Sequence, residues 1–258
     1  MPRIYKNNSS TPRVNWLKTI KSSIAFRLAT RRRDQPSRFK HAVDLIDNLN
    51  GGYPAKSYAR LKAANFGHEV LNGKNALPKL LCNLERLQKL APDTLGRMYY
   101  EINKNKSDVF KTLSKHSHTT FVFGDPEYTD EYKSFLRRSV DVHDMIHLVM
   151  GFDRKLFGEA NVLVAAAHGG SSPYFKWAVI VPTLLTRMFD SSRLKYFFIA
   201  VKILLQETPR RCSSVDNWEL IHWESMLEMN IHEVRKQLGV PDPVLYKPNF
   251  FLVSEERT

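Results

Sequence analysis

Apolar residues recur every three or four positions along most of the chain, a period that predicts helices. Trp16, Leu17, Ile20, Ile24 and Leu28 keep it between Pro12 and Arg33, and Phe39, Val43, Ile46 and Leu49 keep it up to the Gly51-Gly52 stop. A further helix is expected over Ser57–Leu71, weakened at Gly67 and ended by Asn72-Gly73, and another over Leu80–Leu90 on a leucine stripe. Thr94 or Asp93 caps a segment through Ile102. Asp130 to Val149 reads as one long helix, and the next runs from Gly158 to His168. Two strongly apolar segments follow, Tyr174–Phe189, kinked by Pro182, and Leu194–Gln206. Asn217 or Asp216 caps a last helix to Leu238, closed by Gly239 with Pro241 beyond. Thr119–Phe123 is the one candidate strand. The fold class expected is all-α: residues 1–11 a disordered tip, 12–258 a single multi-helix domain. The two apolar segments would wall an apolar ligand tunnel or serve as plain core, and the tail from Pro243 is expected to strap onto the body.

Inside the long helix, His143 and His147 stand four residues apart, so their rings project from one face and can share a divalent ion. Asp144 adjoins the first histidine, and Glu159 opens the next helix after a connection bracketed by Gly151 and Gly158. If the chain doubles back there, a metal site forms between two helices from His143, Asp144, His147 and Glu159. Two nitrogens and two carboxylates suit zinc, iron, manganese or cobalt. A buried, hydrogen-bonded histidine pair is the competing reading. The zinc-protease pattern has glutamate after its first histidine, and Asp144 is shorter, so a peptidase is not expected. A His-Asp phosphohydrolase would need a further histidine and aspartate; His118 and Asp190 exist, but their surroundings do not recommend them.

Composition adds constraints. The 258 residues are 43% hydrophobic, ample for a core. Cys82 and Cys212 lack metal or redox spacing and read as structural thiols in a reducing compartment. A formal charge of +13 attracts polyanions, among them anionic lipid. Without zinc-finger spacing or an aromatic-rich basic signature, nucleic acid is not an expected partner. The Pro12–Arg33 helix is basic and amphipathic, suited to a membrane surface or to packing on its own domain. It is also Arg-rich and free of acids, as mitochondrial transit peptides are. The apolar run Tyr196–Leu205, interrupted by Lys202, is short of the roughly 18 residues of a span.

The string His143-Asp144-Met145-Ile146-His147 with Gly158-Glu159 resembles the signature of the coenzyme Q biosynthesis protein four (Coq-four) family of ubiquinone synthesis. Thr94-Leu95-Gly96-Arg97-Met98-Tyr99, Glu131, Arg138, His222–Leu227 and Val234–Val240 extend the likeness from about Trp16 to Pro243. Val140 departs from it, standing where many members carry a second arginine, as does His168–Pro173.

The resemblance implies a metal-dependent oxidative decarboxylation of a polyprenylated 4-hydroxybenzoate-derived ring, with loss of the carboxylate and hydroxylation at the same carbon. It implies zinc foremost among the divalent metals, magnesium included. Arg138 and Glu224 are the expected catalytic pair, the arginine on the substrate carboxylate or on Asp144, the glutamate supporting from the last helix. Arg97, Tyr99 and Trp223 are the expected substrate contacts, Trp223 against the prenyl chain. Expected partners are the prenylated quinone precursor, other quinone-synthesis enzymes, a membrane surface and a second copy of the chain as homodimer. The location implied is cytoplasmic, peripheral at the inner membrane in a bacterium, or the matrix side of the mitochondrial inner membrane in a eukaryote. A non-catalytic prenyl-lipid-binding scaffold for the quinone-synthesis enzymes is the alternative.

Overall fold

Capping chemistry decides where the helices begin and end. The computed structural model describes residues 53–74, 76–104, 129–166, 168 and 194–247, with positions 21 and 25. In chain order the helices are α1 (Tyr53–Ala63), α2 (Gly67–Glu69), α3 (Ala76–Cys82), α4 (Leu84–Gln88), α5 (Leu95–Asn103), α6 (Asp130–Met150), α7 (Leu156–Ala166), α8 (Leu194–Lys202), α9 (Thr208–Arg211) and α10 (Ile231–Leu238). Wider π turns extend α2 through Val70–Lys74 and α8 through Ile203–Glu207. No strand occurs among the described residues; an isolated antiparallel bridge joins Thr94 to Asn230.

Helix α6 is the spine. Thr129 caps it, its hydroxyl accepting the Tyr132 N–H at 3.3 Å, and Asp130 and Glu131 place negative charge on the positive end of the helix dipole. Gly151 ends it at φ +67°, a left-handed turn that favours glycine. Two arginines satisfy its last carbonyls: Arg211 donates to Met150 O at 2.7 Å, Arg235 to Val149 O at 2.7 Å and Leu148 O at 3.3 Å. Around α6 pack α1, α3, α5, α7, α10 and the π turn after α2. Val142, Met145, Ile146, Val149 and Met150 are buried in one apolar core that runs from Leu77 to Tyr246. Each such side chain contributes roughly 1.5–3 kcal/mol by leaving water. The described elements form a single helical domain, as the periodicity predicts.

Several boundaries differ from the sequence expectation. The Ser57–Leu71 helix breaks after Ala63 and restarts at Gly67. The leucine stripe is split at Asn83, whose side chain accepts the Arg86 N–H at 3.1 Å and so caps α4. The expected last helix is interrupted most. Asn217 does cap, accepting the Glu219 N–H at 2.9 Å, but only the short 3-10 turns Trp218–Leu220 and Trp223–Ser225 follow before Asn230 caps α10. Arg138 takes the carbonyls of Glu219 and Ile221, which a helix would have used. The tail straps on as expected over residues 243–247, where Glu207 accepts the successive N–H groups of Val244, Leu245 and Tyr246 at 2.5–3.1 Å. The Tyr246 ring lies against Phe152 and Phe157. Residues 1–11, most of the basic Pro12–Arg33 segment, Phe39–Leu49, Thr119–Phe123, the Tyr174–Phe189 tunnel wall and Phe250–Leu252 lie outside the described residues.

Candidate metal centre

The chain does double back. Gly158 permits it, because a Cβ there would stand 1.9 Å from the Asp153 carbonyl oxygen, and α7 thereby runs close beneath the loop with Glu159 turned to α6. His143 Nε2 lies 3.3 Å and His147 Nε2 3.4 Å from Glu159 Oε2, and one ligand atom from each of the three residues falls within 4.8 Å of the others. The rings meet edge to face at 4.8 Å. His147 is buried, whereas His143 and Glu159 keep 32% and 39% of their side chains exposed, so the cluster opens on one side.

The other nitrogen of each ring has its own neighbour, a hydrogen-bonded carbonyl for His147 and a more distant carboxylate for His143. His147 Nδ1 is 3.2 Å from the Phe152 carbonyl, which can only accept, so that nitrogen carries an N–H and Nε2 is the atom turned to Glu159. His143 Nδ1 faces Asp144 Oδ1 at 3.7 Å. Asp144 lies outside the converging group; its second oxygen is 2.8 Å from Arg154 Nη2. Four ligands were expected from the sequence, and three side chains converge.

Electrostatics follow from this crowding. Burial works against a charged His143, but Asp144 and Glu159 outweigh it and raise its pKa to about 9. Burial alone would lift the Glu159 carboxyl; the two imidazoles instead hold it well below the usual carboxylate range. Asp144 is likewise held down against burial, by His143 and Arg154. Asp141, one helical turn before Asp144, is lifted by burial to about 7 against the pull of Arg137 and Arg138.

His147 Nε2 is sealed from solvent and has no hydrogen-bond partner, the Glu159 contact lacking hydrogen-bond geometry. A buried polar atom left unmet costs roughly 1–3 kcal/mol. With two imidazole nitrogens and a carboxylate converging on it, a divalent cation fits this donor set.

The other expected residues are held by contacts of their own, and none joins the three converging side chains. Arg138 is wholly buried; it donates to the Glu219 and Ile221 carbonyls and to Glu224 Oε1 at 2.7–2.9 Å, with Phe66 under its guanidinium. Glu224 is thereby drawn to α6 from the Trp223–Ser225 turn. Trp223 is buried, stacked at 6.3 Å on Trp218 and donating to the Trp218 carbonyl at 3.1 Å. Arg97 bonds Glu101 at 2.9 Å and the Gln88 carbonyl, bridging α5 to α4. Tyr99 is buried, and burial with the Asp144 and Asp141 charges pushes its hydroxyl pKa up. Sequence reasoning missed Arg154, Phe152 and Asp141. Asp141 carried a signal, since Arg138, Asp141 and Asp144 share a helical face; Arg154 sits in a charged loop that reads as solvated.

An all-helical domain whose site pairs two histidines on one helix with a glutamate on the next defines a helical protein with a candidate divalent-metal centre. The model of the family described as coenzyme Q (ubiquinone) biosynthesis protein Coq4 matches residues 19–244, and the chain belongs to that family. Among its relatives, the mitochondrial ubiquinone biosynthesis protein COQ4 of Zygosaccharomyces rouxii is 23% identical over 195 residues, 74% of this chain and 52% of that protein. The mitochondrial COQ4 homolog of Drosophila melanogaster is 24% identical over 181 residues, 70% of this chain and 62% of that protein. The chain thus spans about half to three-fifths of the length of these relatives. A crystal structure of a Nostoc punctiforme protein named for ubiquinone biosynthesis shares the fold, with a TM-score of 0.56 at 17% identity, covering 89% of this chain and 100% of that one.

Proposed function

We propose that this chain acts in ubiquinone biosynthesis as a metal-dependent enzyme, catalysing the oxidative decarboxylation of a polyprenylated 4-hydroxybenzoate-derived ring. The observation that carries the reading is the buried, unpartnered His147 Nε2 facing Glu159 beside His143. His143, His147 and Glu159 would hold the divalent ion. When bound, it supplies Lewis acidity for the substrate carboxylate or neighbouring ring oxygens and for the negative charge left as carbon dioxide departs. The net change, carboxylate lost and hydroxyl gained at one carbon, is a two-electron oxidation; with dioxygen as the acceptor and water as the source of the hydroxyl, one ring acid, one dioxygen and one water give the ring phenol, carbon dioxide and hydrogen peroxide.

The chain's own residues do the positioning. Phe152 orients the His147 imidazole and the Asp144 charge lies beside His143, while Arg138 and Glu224 fix the Trp218–Ser225 segment against the site helix. The half-exposed Glu159 and His143 mark the side from which a ring enters. A prenylated substrate dissolves in lipid, so the work is done at a membrane surface in company with other quinone-synthesis enzymes. The family relatives named as mitochondrial favour a mitochondrial location. No described helix is long and apolar enough to cross a membrane.

The test is turnover by purified protein loaded with zinc, iron, manganese or cobalt and given a prenylated 4-hydroxybenzoate-type ring under air. Carbon dioxide release with gain of a ring hydroxyl is expected, and His147→Ala loses both metal and turnover. A metal-loaded protein that turns over none of these rings overturns the catalytic reading.

A further inference from the structure

The carbonyl that meets His147 belongs to a peptide unit held at both ends. Phe152 closes a ring on His147: its N–H donates to the His147 carbonyl at 2.9 Å, and its own carbonyl accepts from His147 Nδ1 at 3.2 Å. The nitrogen of that same peptide is Asp153 N, which donates to the Tyr246 hydroxyl at 3.0 Å. A trans peptide is planar and points its C=O and N–H in opposite directions, so an acceptor at the nitrogen end fixes the direction of the oxygen end. Hydrogen bonds in such a row also polarise one another. The row runs from the Tyr246 hydroxyl through one peptide to the imidazole, whose Nε2 lies 3.4 Å from Glu159.

Tyr246 is buried, its ring edge-on to Phe152 at 4.8 Å and stacked on Phe157 at 5.9 Å. Three side chains bring it there. Arg211 donates to the Pro241 carbonyl at 2.8 Å and to Met150 O, Arg235 bonds Asp242 at 2.9 Å and Val149 O, and Glu207 accepts the N–H groups of Val244, Leu245 and Tyr246. Residues 241–246 are thus latched both to the end of the helix that carries His147 and to the loop that orients it. A phenyl ring would fill the same space; the hydroxyl adds the contact that reaches the His147 peptide.

We propose that Tyr246 is a positioning residue for His147: its hydroxyl, acting through the Phe152–Asp153 peptide, sets the imidazole for the divalent ion, so that docking of residues 241–246 and binding of the ion favour one another. The coupling rests on His147 holding the ion, as proposed above. Outer-shell partners of metal-binding histidines set ring orientation and affinity in this way. Linkage makes the effect reciprocal: whatever factor the docked segment adds to metal affinity, the bound ion adds to the closing of the segment.

The experiment measures cobalt(II) affinity by chelator competition, and amide exchange at residues 244–246 with and without cobalt, in wild type, Tyr246→Phe, Glu207→Gln and Val70→Ala. In wild type, cobalt slows that exchange by about fivefold or more, the lower end of measured couplings. Tyr246→Phe keeps the ring and loses the acceptor, so cobalt affinity falls by the same factor and the slowing disappears. Glu207→Gln loosens the segment from its other side. Its exchange rises without metal, yet cobalt slows it by the wild-type factor, because the Tyr246 hydroxyl is still there. Val70→Ala, in the separate apolar cluster with Phe135, lowers the melting temperature and leaves cobalt affinity within about twofold of wild type.

Equal cobalt affinity in wild type and Tyr246→Phe would overturn the proposal. So would a Val70→Ala variant that loses as much affinity as Tyr246→Phe, since affinity would then merely follow stability. If Tyr246→Phe does not fold, the wild-type exchange comparison decides alone, because a segment uncoupled from the ion exchanges at one rate with and without cobalt. A wild type that binds no divalent ion overturns the metal centre and the coupling with it, whereas failure of the coupling alone leaves cobalt bound.

Discussion

His143 and Glu159 each hold the other's charge in the metal-free protein, and that has a measurable cost for metal uptake. The His143 pKa is raised from 6.5 to about 9, so its pairing contributes stability that is fully present below about pH 6.5 and is lost as pH rises through about 9. Metal must displace that proton. Apparent affinity is expected to climb about tenfold per pH unit between pH 7 and 9 and then level off, as measured by competition with a chelator. His143→Gln removes the slope, and metal-free thermal melts from pH 6 to 9.5 should show the wild type losing stability while the variant stays flatter. At this scale the two histidines and the distant glutamate were legible, because a four-residue step on a helix is rigid arithmetic. Arg154 was not, since a loop side chain's partner depends on where the loop is folded.

Helix α7 owes its approach to a missing side chain. A methyl group at position 158 would meet the Asp153 carbonyl oxygen at 1.9 Å and its side-chain oxygen at 2.6 Å, and neither the loop nor the helix can give way without moving Glu159. Gly158→Ala is expected to lower stability by about 1–3 kcal/mol in denaturant melts and to weaken metal binding as well. Gly151→Ala lowers stability too, through its left-handed φ of +67°, but the ligands stay in place and metal binding changes less. Element boundaries were legible where a local cap sets them, as at Thr94, Thr129 and Gly239. They were not legible across Trp218–Asn230, where Arg138, some eighty residues earlier in the chain, takes carbonyls that periodicity alone would have given to a helix.

Across the whole molecule, the site's far wall is tied to the C-terminal region. Tyr246 donates nothing to the metal cluster, yet its hydroxyl accepts the Asp153 N–H at 3.0 Å and its ring rests on Phe152, whose carbonyl orients His147. The helical class and the strap were readable in the sequence, the first from periodicity and the second only as a tendency of an apolar tail. Its fastening was not, because Glu207 is a lone acid in a greasy segment. Glu207→Ala leaves three backbone donors unmet and is expected to cost about 1–3 kcal/mol, with amide exchange rising first at residues 244–246 and next at Phe152.

Among the described residues, the hydrogen bonds of Glu207 go to main-chain N–H groups, and Val244 is 68% exposed. The clasp is therefore blind to spelling. Val244→Thr or Leu245→Ser should shift melting by no more than about 0.5 kcal/mol, whereas Leu245→Pro, which deletes a donor, should unfasten the strap. Descendants of this gene can rewrite those two letters freely, provided that neither becomes an imino acid.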